Sequence, residues 1–361
     1  MFTRFRLVVA SLLSIVSLSS MAARGADDTG AVFTLTNSPS GNAVVAYGRG
    51  ADGTLRPAGT FASGGAGTGT GLNSQDAIVV TADRRFVLAV NAGSDSISVF
   101  RIRHDALQLV ETESSGGVRP TSIAVRSGLV VVLNTGEPNN ITGFELSPAG
   151  QLTQIPGFTR PLSAAQTAPA QVGFSHDGDT IIVTERATNR LSTFSFDGAG
   201  LEGPFVTPSA GPTPFGFASG ARNILFVSEA GAGGGASTYR VDGTALEPAS
   251  SAIMTGQRAA CWAVMTPSGR FGYVTNAGTG NISGFAIAPD GSATLLNLDG
   301  VTAVTGGNPT DMAVSHDGRY LYARVANLAS IAVFGIGADG SLTALPSLTG
   351  TAAGLAGLAG F

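Results

Sequence analysis

Lysine is absent from this sequence, and all 20 basic residues are Arg. A Schiff-base lysine and the phosphate-gripping lysine of a Walker loop are thereby excluded. Cysteine occurs once, as Cys261, so no internal disulfide can form and stability has to come from packing. Charge is sparse, 12% of residues against the usual quarter or so. The formal net charge of −4 leaves no basic field for phosphate, which argues against nucleic acid as a partner. Apolar residues at the 3.6-residue helical period are also missing, which excludes a helical solenoid.

What is present points to strands and turns. Hydrophobic residues make up 43% of the chain, enough for a sizeable core, and the 51 glycines follow no three-residue collagen period. The N-terminus reads as a secretory signal peptide over 1–22: Arg4 and Arg6, then the short apolar core "LVVASLLSIVSLSSM", then small residues at "SMA". Its removal lowers the net charge from −4 to −6. Residues 23–30 read as a short linker. No later segment is apolar for long enough to span a membrane, so the expected location is periplasmic or secreted.

The main signal is a repeat. Tyr47, Phe100, Phe144, Phe194, Tyr239, Phe285 and Phe334 each close an apolar run, at intervals of 53, 44, 50, 45, 46 and 49 residues. Each copy has the same grammar: a first strand ("DMAVS"), a tight turn ("HDG", "PSG" or "ADR"), a second strand ("RFGYVT"), a small-residue loop, a third strand ("ISGFAI"), and a turn such as "ADGSL" opening a fourth. Seven such units of four antiparallel strands predict an all-β, seven-bladed β-propeller over 31–361 as a single domain. The first copy starts directly at a second strand, "AVFTLTN" (31–37), and the last segment, "TAAGLAGLAGF" (351–361), reads as an inner strand with nothing after it. The C-terminal strand is therefore expected to complete the first blade and close the ring.

In such a ring a ligand is expected at one mouth of the central channel, lined by the loops entering the inner strands and leaving the second strands. Aligning the strand entries places Asp311 with Gln171 and Trp262, and Thr310 one step earlier with Ala170, Cys261 and Asp76. The second strands end on Asn37, Asn91, Asn134, Glu185, Glu229 and Asn276, and the last copy puts Arg324 and Val325 there. The Asn residues read as turn devices. Glu185 and Glu229 add a charge that a turn does not require, and they are the expected general bases. Arg186 and Arg324 are expected to bind an anionic group. Asp76, Gln171, Arg258, Trp262 and Asp311 are expected to line the ligand. Cys261 reads as a small buried hydrophobe. His176 and His316 sit in turns at the far end of the channel and His104 in a peripheral turn, so neither a His-based triad nor a zinc site is expected. No metal or cofactor is called for. The tracts "ASGGAGTGTG" (62–71) and "GAGGGA" (231–236) lack a following Gly-Lys and read as flexible loops.

At "YVTNAGTGNISGFAIAPDGSATLL" (273–296), and again at "PTDMAVSHDGRYLYARVANLASIAVFGIGADGSLTAL" (309–344), the chain resembles the YVTN-type seven-bladed propellers of the lactonase family. The resemblance spans essentially the whole chain after residue 22. That family includes 6-phosphogluconolactonases and carboxymuconate cycloisomerases. It implies metal-free chemistry at a lactone, with Arg holding an anion and Glu or His moving a proton. It also implies a His where Ala170 stands, and an Arg-His pair where Thr213 and Pro214 stand. Two functions follow as expectations: an exported lactone hydrolase or isomerase, or a non-catalytic propeller that binds a small polar ligand or a protein partner.

Overall fold

The computed structural model describes residues 28–103, 106–198, 200–352 and 354–361, so the signal segment 1–22 and His104 lie outside the described residues. Seven antiparallel sheets follow one another around a ring, as the repeat predicts. In blades 2 to 7 the chain runs from an inner strand outwards. The inner strands are Ile78–Val80, Pro120–Arg126, Pro169–Phe174, Pro214–Gly220, Ala260–Met265 and Pro309–Val314. Blade 1 takes its inner strand from the C-terminus, in the order Ala356–Gly360, Asp28–Leu35, Ala43–Gly50, Leu55–Ala62. Its second strand thus begins at Asp28, three residues before the expected start.

The closure is specific. Val32 pairs with Gly360, Phe33 with Ala359 and Leu35 with Ala356. Thr34 Oγ1 donates to the Gly357 carbonyl at 2.7 Å, and Phe361 N donates to the Ala31 carbonyl at 3.0 Å. A ring sealed in this way exposes no seam of unpaired strand edges.

The seven repeated aromatics explain why the units pack. Tyr47, Phe100, Phe144, Phe194, Tyr239, Phe285 and Phe334 are all buried, each on a third strand. The tyrosines of blade 7 tie it to blade 1 across the closure: Tyr320 Oη donates to Ala51 O at 2.7 Å and Tyr322 Oη to Gly53 O at 3.0 Å. Gly53, at φ +85°, sits in the outer Asp-Gly turn with the Tyr320 ring where a Cβ would be, so any side chain there would collide.

Two local expectations change. The outer strand of blade 6 is split into Ala293–Leu295 and Ala303–Val304, because residues 296–302 form a side loop held by Thr302 Oγ1 on Asn297 Oδ1 (2.9 Å) and Val301 N on Asp299 Oδ1 (3.1 Å). The glycine tract 62–71 is also no free loop. Asn37 Oδ1 accepts from Thr68 N at 2.9 Å, Asn37 Nδ2 donates to Thr70 O at 2.6 Å, and Gly67 N reaches Ser38 O at 2.8 Å. Glycine is required at 67 because the Asn37 backbone lies within 2.5 Å of where a Cβ would stand. In the other tract, Gly231 N donates to Pro212 O at 3.1 Å and Gly234 N to Gly231 O at 3.0 Å, and Gly235 opens a strand.

Candidate functional site

The channel is crossed near one end. The crossover from blade 1 to blade 2 drops Ser74, Gln75 and Asp76 onto the axis, where they meet inner strands on the opposite side of the ring. An inner strand presents an unpaired edge to the channel, and Gln side-chain amides cap those edges. Gln75 Oε1 accepts from Ala263 N at 2.9 Å and its Nε2 donates to Ala263 O at 2.8 Å. Gln171 treats Phe217 in the same way, accepting from its N at 2.5 Å and donating to its O at 3.0 Å. Gln75 N donates to Ala170 O at 3.1 Å, and Trp262 Nε1 to Ser74 O at 2.8 Å. The expected ligand residue Trp262 is thus a wall of this crossing segment, with its ring 5.1 Å from that of Phe215.

Asp76 and Asp311 come together here. Gln171 Nε2 donates to Asp76 Oδ2 at 2.6 Å. Asp311 is only 3% exposed; its Oδ1 accepts from Met312 N at 2.9 Å, while its Oδ2 has no hydrogen-bond partner. Both residues lie in left-handed backbone, at φ 60° and 80°, a costly conformation for a side-chain-bearing residue and one that concentrates at functional sites. Burial pushes the Asp76 carboxyl up to about 7, against the Gln171 donation that lowers it. Burial and then the Asp76 charge push Asp311 well above the carboxylate range, while Met312 N, Arg324 and the nearby Leu358 N pull it back. Arg324 is half-buried and also bonds Thr310 Oγ1. Asp76 borders a cavity of about 280 Å³ that it shares with Val80, Ser175 and His176.

Glu185 and Glu229 have a different setting from the one expected of a general base. Glu185 is 0% exposed and saturated. One oxygen accepts from Ser192 Oγ at 2.7 Å and Ser163 N at 3.1 Å; the other accepts from Thr188 Oγ1 at 2.7 Å and from Ser163 Oγ. The equivalent Asn91 binds Ser98 Oγ at 2.7 Å and Ser63 Oγ at 2.6 Å. Asn276 likewise binds Ser283 Oγ at 2.8 Å. The slot is a latch between the end of the second strand, the third strand and the incoming crossover, and Glu185 fills it as Asn does. Glu229, also buried, accepts from Ser209 Oγ at 3.1 Å.

Burial raises Glu229 to about 7, above its ordinary unfolded value, against the Ser209 and Gly211 bonds that lower it. The folded state therefore holds more protons than the unfolded state between about pH 4.5 and 7, and stability falls as pH rises through that window. Asp76, also raised to about 7, adds to the same slope. The urea midpoint is expected to be higher at pH 5 than at pH 7.5. Glu229→Gln should flatten this dependence by an amount on the order of 2 kcal/mol. A midpoint that rises from pH 5 to 7.5 would contradict the assignment.

The remaining expected residues lie apart. Arg186 is half-buried, stacks 5.2 Å from the Phe215 ring centre, donates to Ala168 O at 2.9 Å, and makes no ion pair among the described residues. Arg258 is exposed and caps the Gly278 carbonyl at 2.9 Å within its own blade. Burial pushes the Cys261 thiol up to about 12, so it is not a nucleophile near neutrality. His176 and His316 do lie at the far end of the channel, but that end is where a larger cavity, of about 440 Å³, opens. Sequence reasoning overlooked this cavity, and also Gln75, whose place beside Asp76 in "SQDA" was the available signal.

The model of the seven-bladed β-propeller lactonase family matches residues 40–160 and 224–355, and the chain belongs to that family. A search of curated protein sequences finds no match. Among solved structures, a protein of Lactobacillus plantarum is 16% identical with a TM-score of 0.76, over 92% of this chain and 99% of that one. A candidate 6-phosphogluconolactonase of Bacteroides uniformis is 20% identical with a TM-score of 0.73, over 90% and 97%. A periplasmic gluconolactonase of Pseudomonas aeruginosa is 17% identical with a TM-score of 0.69, over 91% and 98%. At these identities the likeness is one of fold. Among the described residues no helix is long and apolar enough to cross a membrane, and no group of three or more His, Cys, Asp or Glu could hold a metal ion.

Proposed function

We propose that this chain hydrolyses a lactone or related cyclic ester at the axial carboxylate pair. The observation that carries the reading is the meeting of Asp76 and Asp311 on the channel axis, both in left-handed backbone, with Arg324 acting on Asp311 and a cavity bordering Asp76. Asp76, with a carboxyl at about 7, is suited to exchange a proton near neutral pH. It takes a proton from water as the water oxygen attacks the lactone carbonyl. Arg324 offers positive charge to the developing oxyanion. The ring C–O bond then breaks, and the leaving alkoxide takes the proton back, giving a hydroxycarboxylic acid that ionises to the hydroxycarboxylate by releasing its proton to solvent.

Family membership supports a lactonase-type reaction, and the gluconolactonase among the structural relatives supports a lactone as the substrate class. An exported location goes with this reading, on the signal-like segment 1–22 and the periplasmic relative. The test is a pH-stat screen of purified protein against aliphatic, aromatic and sugar lactones. At least one is expected to be turned over above the spontaneous rate. Turnover of none leaves the non-catalytic binding propeller as the better reading.

A further inference from the structure

The end of the channel opposite the crossover loops is built from the tight turns between inner and second strands. Four of these turns follow one plan: Thr81–Arg84, Ser175–Gly178, Thr266–Gly269 and Ser315–Gly318. In each, the first carbonyl accepts from the fourth N–H, at 2.8 to 3.0 Å. The first hydroxyl accepts from the N–H of Phe86, Thr180, Phe271 or Tyr320, at 3.0 to 3.2 Å. The fourth residue has positive φ in all four: Gly178 at 92°, Gly269 at 68°, Gly318 at 69° and Arg84 at 57°. Glycine takes this conformation without penalty, whereas Arg does not. The turn geometry thus gives no reason for Arg at position 84.

What lies beside Arg84 supplies one. The cavity of about 440 Å³ at this end is lined by Arg84 together with His176 and His316. The two His occupy the second position of their turns, where the other copies carry Ala82 and Pro267. Neither makes a hydrogen bond among the described residues. The lining includes no carboxylate side chain. The nearby acids are committed to their own turns: Asp83 to Thr81 Oγ1 at 2.6 Å, Asp177 to Ser175 Oγ at 2.5 Å, and Asp317 to Ser315 Oγ at 2.5 Å. Phe361, the last residue, also lines the cavity and brings the one carboxylate there; an oxygen of it accepts from Arg49 Nε at 3.3 Å, and its ring lies 5.5 Å from the Arg84 guanidinium. The result is a concave vestibule of small-ligand size with an apolar wall and the nitrogen-bearing side chains of Arg84, His176 and His316 in its lining.

We propose that this vestibule is a binding site for a small organic anion of the hydroxycarboxylate class, held by Arg84, His176 and His316. It is continuous with the cavity beside Asp76, since His176, Val80 and Ser219 line both. Its identification as the exit for a ring-opened product rests on the lactonase reading, but anion binding does not.

Calorimetric titration of the full-length protein with gluconate, and with the neutral polyol glucitol as control, tests the site. Saturable gluconate binding is expected, with none for glucitol. Arg84→Gly is expected to weaken gluconate binding about tenfold or more, as loss of a charged hydrogen-bond donor does, while keeping or raising the thermal midpoint. His176→Asn/His316→Asn should weaken binding as well, and Arg240→Ala, at an exposed Arg of blade 5 outside the vestibule, should leave it intact. Unchanged binding in Arg84→Gly, equal binding of glucitol, no saturable binding, or loss of binding in Arg240→Ala would each overturn the proposal. Arg84-dependent binding with no lactone turnover would keep the vestibule and remove the lactonase reading.

Discussion

Asp76→Asn is expected to lower lactone turnover by about 10²–10⁴, the usual contribution of a positioned general base. The substitution keeps the size of the side chain and an oxygen able to accept from Gln171 Nε2, so the Gln171–Phe217 cap should persist and the fold with it. The loss should fall on kcat more than on KM, since the group acts only as charge develops. Asp311→Asn should also lower turnover. Asp311 Oδ2 is buried without a partner, and the charge of the one carboxylate acts on the other. Steady-state kinetics of both variants check this. Full activity in Asp76→Asn moves the chemistry elsewhere.

The second large effect concerns the closure of the ring. Removing residues 356–361 takes the inner strand from blade 1, strips the partners of Val32, Phe33 and Leu35, and exposes the edge of Asp28–Leu35. The loss is expected to exceed about 5 kcal/mol, a large share of what a domain holds, and to leave the protein aggregation-prone. Leu358→Ala is a milder probe. Leu358 is 3% exposed and packs with Val32, Tyr47 and Tyr322, so truncation should cost about 2–5 kcal/mol. Urea unfolding measures both. A truncated chain with an unchanged midpoint would mean that the strand is an ornament on an already closed ring.

The fold was legible because its signal is redundant. Seven buried aromatics, four kinds of turn and an incomplete first copy all point to the same closed ring, and the structure keeps each of them. The placement of the candidate site's residues was legible in part. Asp76, Gln171, Trp262 and Asp311 could be placed by counting from the turns, because an antiparallel register carries position around the ring. Three things escaped that count. The crossing of the channel by Ser74–Asp76 depends on contacts with residues 95 to 188 positions away in sequence. The latch role of Glu185 is invisible until Ser163, Thr188 and Ser192 are brought around it, because an isolated Glu at a strand end reads as a free charge. The "flexible" glycine tract owes its order to Asn37, a partner some 30 residues earlier.

The most direct test of the axial site is the pH dependence of kcat/KM on the best lactone, in the unsubstituted protein and in Asp76→Asn. The rate is expected to rise with pH through an ionisation near 7, the value of the Asp76 carboxyl, and to lose that step in the variant. An identical profile and rate in the two proteins would contradict it.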